Sequence, residues 1–240
     1  MIAVQTRGIV LHALSFKERD TIFTFFTEQC GIVRAIAKGI RSARSRLPPL
    51  APPHEAELIL ERRKGDLYTV KDATIIVHHL PLRGDLQRLN GACELLNATR
   101  WGQCDENPAP LLFVLLHHYL ECLHRCPQPE GIVISYHLKL LHLEGLLSKD
   151  DLYERFDSAT AELLCFLTAS RSSQLIGEAA LSIDVCQGVL DLFWKKIERI
   201  AKGGTRTPTG FLPLPPQGSA STDSATSAYH LDVNSNPRGS

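Results

Sequence analysis

The segment Lys38-Gly-Ile-Arg-Ser-Ala-Arg-Ser-Arg46 places four cations, Lys38, Arg41, Arg44 and Arg46, in nine residues that contain no acid. It follows a β-patterned stretch and runs into Pro48-Pro49, so the spacing predicts a loop. Clustered guanidinium and ammonium groups on a loop suit one chemistry above others, the binding of phosphate oxygens. The same residues also fit a solvated loop with no partner.

A second basic group, Arg62-Arg-Lys64, stands in a turn between two apolar runs, and Arg7 and Arg34 lie on neighbouring strand-like segments. Together they define candidate phosphate contacts at Arg7, Arg34, Lys38, Arg41, Arg44, Arg46, Arg62, Arg63 and Lys64. Aromatic rings beside cations could stack on bases. The candidates are Phe16, Phe23, Phe25, Phe26 and Tyr68, with Tyr68 favoured for its place beside the second basic turn. Alternation along a strand puts Phe23 and Phe25 on one side and Phe26 on the other.

Other constellations point nowhere in particular. His118, Cys122 and Cys126 recur every four residues and would share a helical face, but Pro127 follows and no fourth ligand is evident. No P-loop, His-Glu-x-x-His or Gly-x-Ser-x-Gly pattern occurs, so the common sequence-readable enzymes have no support. The expectation is a non-enzyme with no cofactor and no metal.

These residues sit in a chain of 240 residues with 44% apolar content, enough for a sizeable core. No apolar run reaches the roughly 20 residues that a membrane helix needs. The first residues show no basic start leading into an apolar stretch, so no secretory leader is expected. Seven scattered cysteines fit reduced thiols in a cytoplasm rather than a disulfide framework. The zero net charge hides an asymmetry. Residues 1–75 carry 12 Lys/Arg against 8 Asp/Glu, whereas residues 76–202 carry 12 against 16. The basic front half is the better candidate for a polyanionic partner.

The elements that would hold the cations change in kind along the chain. Ile9–Leu11, Thr21–Thr27, Ile32–Ala37, Glu57–Glu61 and Leu67–Val70 read as short strands, with Gly31 placed to take positive φ in a hairpin turn. Leu47-Pro-Pro-Leu-Ala-Pro-Pro53 fits neither helix interior nor central strand. Five short strands in about 75 residues predict a small barrel. After Pro81 the apolar spacing turns helical, over 82–101, 110–123, 132–147, 159–169 and 183–201. Asn107 or a neighbour is expected to cap the second helix, Ser158 to open the fourth, and Ser182 or Asp184 the fifth. Residues 203–240 are rich in Gly, Pro, Ser and Thr and read as disordered. The fold class is therefore α+β, divided as 1–80, 81–202 and 203–240.

The N-terminal text also resembles a known family. Thr6-Arg-Gly-Ile-Val-Leu11, Arg19-Asp-Thr-Ile-Phe-Thr-Phe-Phe-Thr27, Gly31-Ile-Val-Arg-Ala-Ile-Ala-Lys-Gly39 and Gly65-Asp-Leu-Tyr-Thr-Val70 are similar in order and spacing to the start of the RecO recombination mediators. The resemblance covers residues 1–80 and weakens after that. It implies an oligonucleotide-binding (OB) barrel followed by a helical domain. It also implies a bacterial DNA repair protein, cytoplasmic and nucleoid-associated, that binds single- and double-stranded DNA and anneals complementary strands. Such a protein assists RecA loading onto DNA coated with single-strand-binding protein (SSB). The implied partners are RecR and the acidic C-terminal peptide of SSB, with RecA met indirectly. An acidic, apolar-ended peptide calls for a groove with a basic rim; Arg125 and Lys139 are the candidate contacts. An adaptor that docks RecR or SSB and touches DNA weakly is the alternative. Many relatives carry a four-cysteine zinc site built from Cys-x-x-Cys pairs. No such pair occurs here, so no such site is expected.

Overall fold

A computed structural model describes residues 2–62 and 65–202. The expected tail after residue 202 lies outside the described residues, as do Arg63 and Lys64.

Five strands, β1 (Ile2–Phe16), β2 (Asp20–Thr27), β3 (Gly31–Ala37), β4 (Glu55–Arg62) and β5 (Leu67–Val77), close into a barrel in the order β1-β2-β3-β5-β4. All neighbours are antiparallel except β3 and β5. This is the partly Greek-key order of an OB fold. The strand count and order of elements agree with the sequence reading, but β1 and β5 are far longer than their apolar runs suggested. β1 serves two partners, pairing with β4 over Ile2–Ile9 and with β2 over Gly8–Phe16. Its register shifts between Val10 and His12, a bulge that helps the strand bend around the barrel.

Strand alternation sorts the side chains. Val10, Phe23, Phe25, Val33, Ala35, Leu58, Leu60, Tyr68 and Val70 fill the barrel. Ile9, Leu11, Phe26 and Ile32 point outward and join the core of the helical half. Phe26 meets Phe113 with ring centroids 5.8 Å apart. Two large rings removed from water here favour the packed arrangement by about 2–3 kcal/mol each.

The helical half contains α1 (Leu86–Gly102), α2 (Pro110–Cys122), α3 (Pro129–Leu143), α4 (Lys149–Tyr153), α5 (Ser158–Ala169), α6 (Ser173–Gly177) and α7 (Ile183–Lys202). A single 3-10 turn, Leu80–Gly84, leads from the barrel into α1. The two five-residue helices escaped the sequence reading because each is too short to show an apolar period. α3 is buried along most of its length, so it forms the centre against which the others pack. Two of its buried hydroxyls bond to neighbouring helices: Tyr136 to Thr99 at 2.5 Å, and Ser135 to both Tyr119 and the Leu167 carbonyl.

The helix starts refine the expectations. α2 begins at Pro110 behind Ala109, with no side-chain cap, so Asn107 does not cap it. Proline at the first position needs no cap for its missing N–H. α5 is capped by Asp157, one residue before the expected Ser158; its carboxylate accepts from the Thr160 amide. Ser182 does open α7, accepting from the Val185 amide at 3.3 Å.

The connection between α1 and α2 is bound to the barrel. The Glu106 amide donates to the Ile32 carbonyl at 2.8 Å, and Ile32 and Asp105 form a parallel bridge. Gly31 has φ +68° here, and a Cβ at that position would lie 2.1 Å from the Asn107 oxygen. Glycine is required both by the turn and by this approach.

Candidate nucleic-acid interface

The basic segment leaves β3 at Ala37 and is fixed to the β1–β2 turn from its first residues. The Gly39 amide donates to Asp20 Oδ1 at 2.8 Å, and the Arg41 amide donates to the Arg19 carbonyl at 3.1 Å. The Arg41 guanidinium donates to the Lys17 carbonyl. Ser42 and Ser45 supply further turns: the Ser42 amide donates to the Gly39 carbonyl and the Ser45 amide to the Ser42 carbonyl, each at 2.9 Å. Ile40 and Leu47 pack against the barrel core and Leu50 is buried. Apolar anchors therefore alternate with cations. Lys38, Arg41, Arg44 and Arg46 remain exposed on an ordered loop.

No described carboxylate forms an ion pair with these four cations. Lys17 and Arg19, also exposed, join them across the two backbone links, so the β1–β2 turn enlarges the patch to six cations. Sequence reasoning missed these two. The signal was present in the hairpin: Thr21 pairs with both Ser15 and Ala37, which brings the turn at 17–19 next to residue 38. Glu18 and Asp20 are the only nearby acids in this turn, and Asp20 is already bonded to the loop.

The remaining candidates sit elsewhere. Arg7 binds Glu55, donating through Nε at 3.0 Å and through Nη2, and its guanidinium lies over the Phe113 ring at 5.7 Å. Its charge is neutralised at the junction of barrel and helices, which takes it out of the patch. Arg34 faces Asp105 at 4.0 Å, and Arg62 pairs with Glu106. Arg34 stands at the middle of β3, opposite Leu67, while Lys38 follows the strand's C-terminal end.

Tyr68 is only 4% exposed, and the Arg62 guanidinium covers its ring at 4.7 Å. The ring points into the barrel and offers no open face to a base. Phe23, Phe25 and Phe26 are buried as well. Among the five aromatic candidates Phe16 alone is well exposed, with Lys17 Nζ 5.4 Å from its ring centre.

The two candidate partner contacts differ. Arg125 is exposed at a cleft of about 720 Å³ that Glu121 and Glu178 also line. Lys139 is half-buried; its ammonium donates to the Ser170 carbonyl and lies over Tyr119 at 5.7 Å, and burial lowers its pKa. His118 and Cys122 approach at 3.4 Å, but α2 ends at Cys122, so Cys126 leaves the helical repeat. Among the described residues no three His, Cys, Asp or Glu side chains converge to hold a metal. Nor is any described helix long and apolar enough to cross a membrane.

Comparison with known proteins agrees with this architecture. Residues 1–78 match the family model for the recombination protein O N terminal. The DNA repair protein RecO of Geobacter metallireducens is 31% identical over 198 residues, which cover 78% of this chain and 81% of that protein. The RecO of Anaeromyxobacter dehalogenans strain 2CP-C is 30% identical over 183 residues, 75% of this chain and 72% of that protein. The match to the RecO of Prosthecochloris aestuarii, 27% identical, spans about half that protein's length, 52%. Barrel, helical half and similarity over both together place the chain in the RecO family of DNA repair proteins.

Proposed function

We propose that this protein is a DNA-binding recombination mediator that anneals complementary strands and assists RecA loading onto SSB-coated single-stranded DNA. The observation that carries this reading is the ordered loop whose cations, Lys38, Arg41, Arg44 and Arg46, have no described carboxylate partner. Family membership supports the repair role.

Annealing requires no bond chemistry from the protein. Two strands repel through their phosphates. A cationic surface screens that repulsion and concentrates both strands, while exposed bases stay free to pair. The barrel, at about 1–80, would serve as the DNA module and the helices, at about 81–202, as its support and partner surface. RecR and the SSB C-terminal peptide are the proposed protein partners, with Arg125 as a candidate contact. A cytoplasmic, nucleoid-associated location follows from this role.

The test is the annealing of complementary oligonucleotides coated with cognate SSB, with and without this protein. Acceleration that fades with added salt supports the mediator. Intact SSB binding with no acceleration supports the adaptor instead.

A further inference from the structure

The cleft beside Arg125 holds side chains that the DNA reading does not use. His118, Cys122 and Cys126 all line it. His118 and Cys122 stand one turn apart on α2, with Cys122 Sγ 3.4 Å from His118 Nε2, within reach of a sulfur hydrogen bond. A thiol donates and a neutral imidazole accepts, so the pair sets a base on the Cys122 proton. Among the described cysteines only Cys122 meets an imidazole in this way.

The thiolate is the reactive form of cysteine. Cys122 closes α2, and the negative end of a helix opposes a thiolate there. Glu121 and Glu178 in the same cleft oppose it too, against the single cation of Arg125. A protonated His118 supplies the charge that lets the thiolate form.

A second thiol lies within reach. The chain makes one more closed turn after α2: the Arg125 and Cys126 amides both donate to the Cys122 carbonyl, at 3.2 and 3.1 Å. Helical rise over four residues puts the Cα atoms of Cys122 and Cys126 about 6 Å apart, a separation that a disulfide spans. Cys126 is buried, its Sγ on the Leu123 carbonyl at 3.7 Å. Gly177 of α6 covers it so closely that a Cβ there would lie 3.2 Å from the Cys126 Cβ. Cys126 is therefore shielded from a dissolved oxidant while its backbone stays next to Cys122.

We propose that Cys122 is a site of oxidation by hydrogen peroxide, with His118 as its base and Cys126 as the thiol that closes a reversible disulfide with it. Cys122 passes its proton to His118, and its sulfur attacks one peroxide oxygen. The S–O bond forms, the O–O bond breaks, and the departing hydroxide recovers the proton from His118 as water. Cys126 then attacks the sulfenic sulfur. The S–S bond forms, the S–O bond breaks, and hydroxide leaves with the Cys126 proton as a second water. Two thiols are oxidised and one peroxide is reduced to two waters. Burial raises the thiol pKa at Cys30, Cys93 and Cys186, which leaves these three less reactive.

The test treats the full chain with hydrogen peroxide, alkylates the remaining thiols and digests with trypsin. Arg125 separates the two cysteines, so the disulfide joins peptide 101–125 to peptide 126–139. Peptide 101–125 also holds Cys104, and fragmentation assigns the bond to Cys122. The joined pair is expected in the wild type and is lost on reduction. Cys126→Ser should leave a sulfenic acid on Cys122 that dimedone traps. His118 is exposed, so His118→Gln tests the base without disturbing the core. It should slow oxidation about tenfold and move the rise of the rate to higher pH. Cys93, the one fully exposed cysteine described, is the internal control and should react more slowly than Cys122. Absence of the joined peptides, or Cys93 oxidised as fast as Cys122, would overturn the site; this comparison needs only the wild type and stands even if Cys126→Ser fails to fold. An unchanged rate and pH profile in His118→Gln would overturn the role of the imidazole.

Discussion

His117 of α2 reaches Glu55 of β4 at 2.7 Å, and Glu55 has no exposed surface. Arg7 of β1 holds the same carboxylate from the other side. One buried acid thus links two strands to a helix, beside the Phe26–Phe113 contact. A carboxylate out of water is tolerated only when its oxygens are bonded. Removing Arg7 should therefore cost more than removing an ordinary surface arginine. Arg7→Leu is expected to lower stability by about 2–3 kcal/mol, below the usual range for a buried pair because Arg7 is half-exposed. Urea unfolding measures this, and DNA affinity should be unchanged. A loss of DNA affinity at constant stability would return Arg7 to the interface.

The buried histidines set an acid limit. Burial pushes His79 down to about 4, helped by the neighbouring His124, and burial pushes His137 down to about 4 as well. Both are neutral in the folded protein at pH 5, whereas in the unfolded chain they bind protons below about pH 6.5. The unfolded state thus binds more protons, and stability falls as the pH drops from about 6.5 towards 4. Each group should cost about 2 kcal/mol by pH 5. Urea midpoints at pH 7 and pH 5 give the slope, and His137→Leu should flatten it. A slope unchanged by that substitution would show that His137 is not its source.

Two acids restrain cations that sequence reasoning assigned to DNA. Asp105 faces Arg34 and Glu106 pairs with Arg62, in the connection that docks on β3. The pairs are largely at the surface, so their loss should change stability by less than about 1 kcal/mol. Freeing two cations should strengthen DNA binding. Asp105→Asn with Glu106→Gln is expected to raise duplex affinity about threefold at low salt, with a steeper salt dependence. Unchanged affinity would mean that Arg34 and Arg62 stay away from the DNA.

The barrel was legible because its strands are punctuated: Gly31 and the proline-rich 47–53 mark ends that no helix could cross. The junction with the helices was partly legible too. Phe25 and Phe26 are adjacent and both apolar, which already signals a strand buried on two faces. Ionic partners were not legible. Nothing in the sequence near Arg7 or Arg62 foretells Glu55 or Glu106, which lie 48 and 44 residues away. Tyr68 misled for a related reason, since its cationic neighbour Arg62 covers the ring instead of guiding DNA to it. Lys17 and Arg19 were overlooked because register, not proximity in sequence, brings them to the loop.

The most direct measurement is the salt dependence of duplex binding by the wild type and by the protein with Ala at Lys38, Arg41, Arg44 and Arg46. Six cations contacting phosphates, those four with Lys17 and Arg19, correspond to a slope of log K against log salt of about −5. Losing four of them should bring the slope to about −2 and lower the affinity at every salt concentration. An unchanged slope and affinity would contradict the account, because the loop would then be a solvated surface and the DNA contact would lie elsewhere.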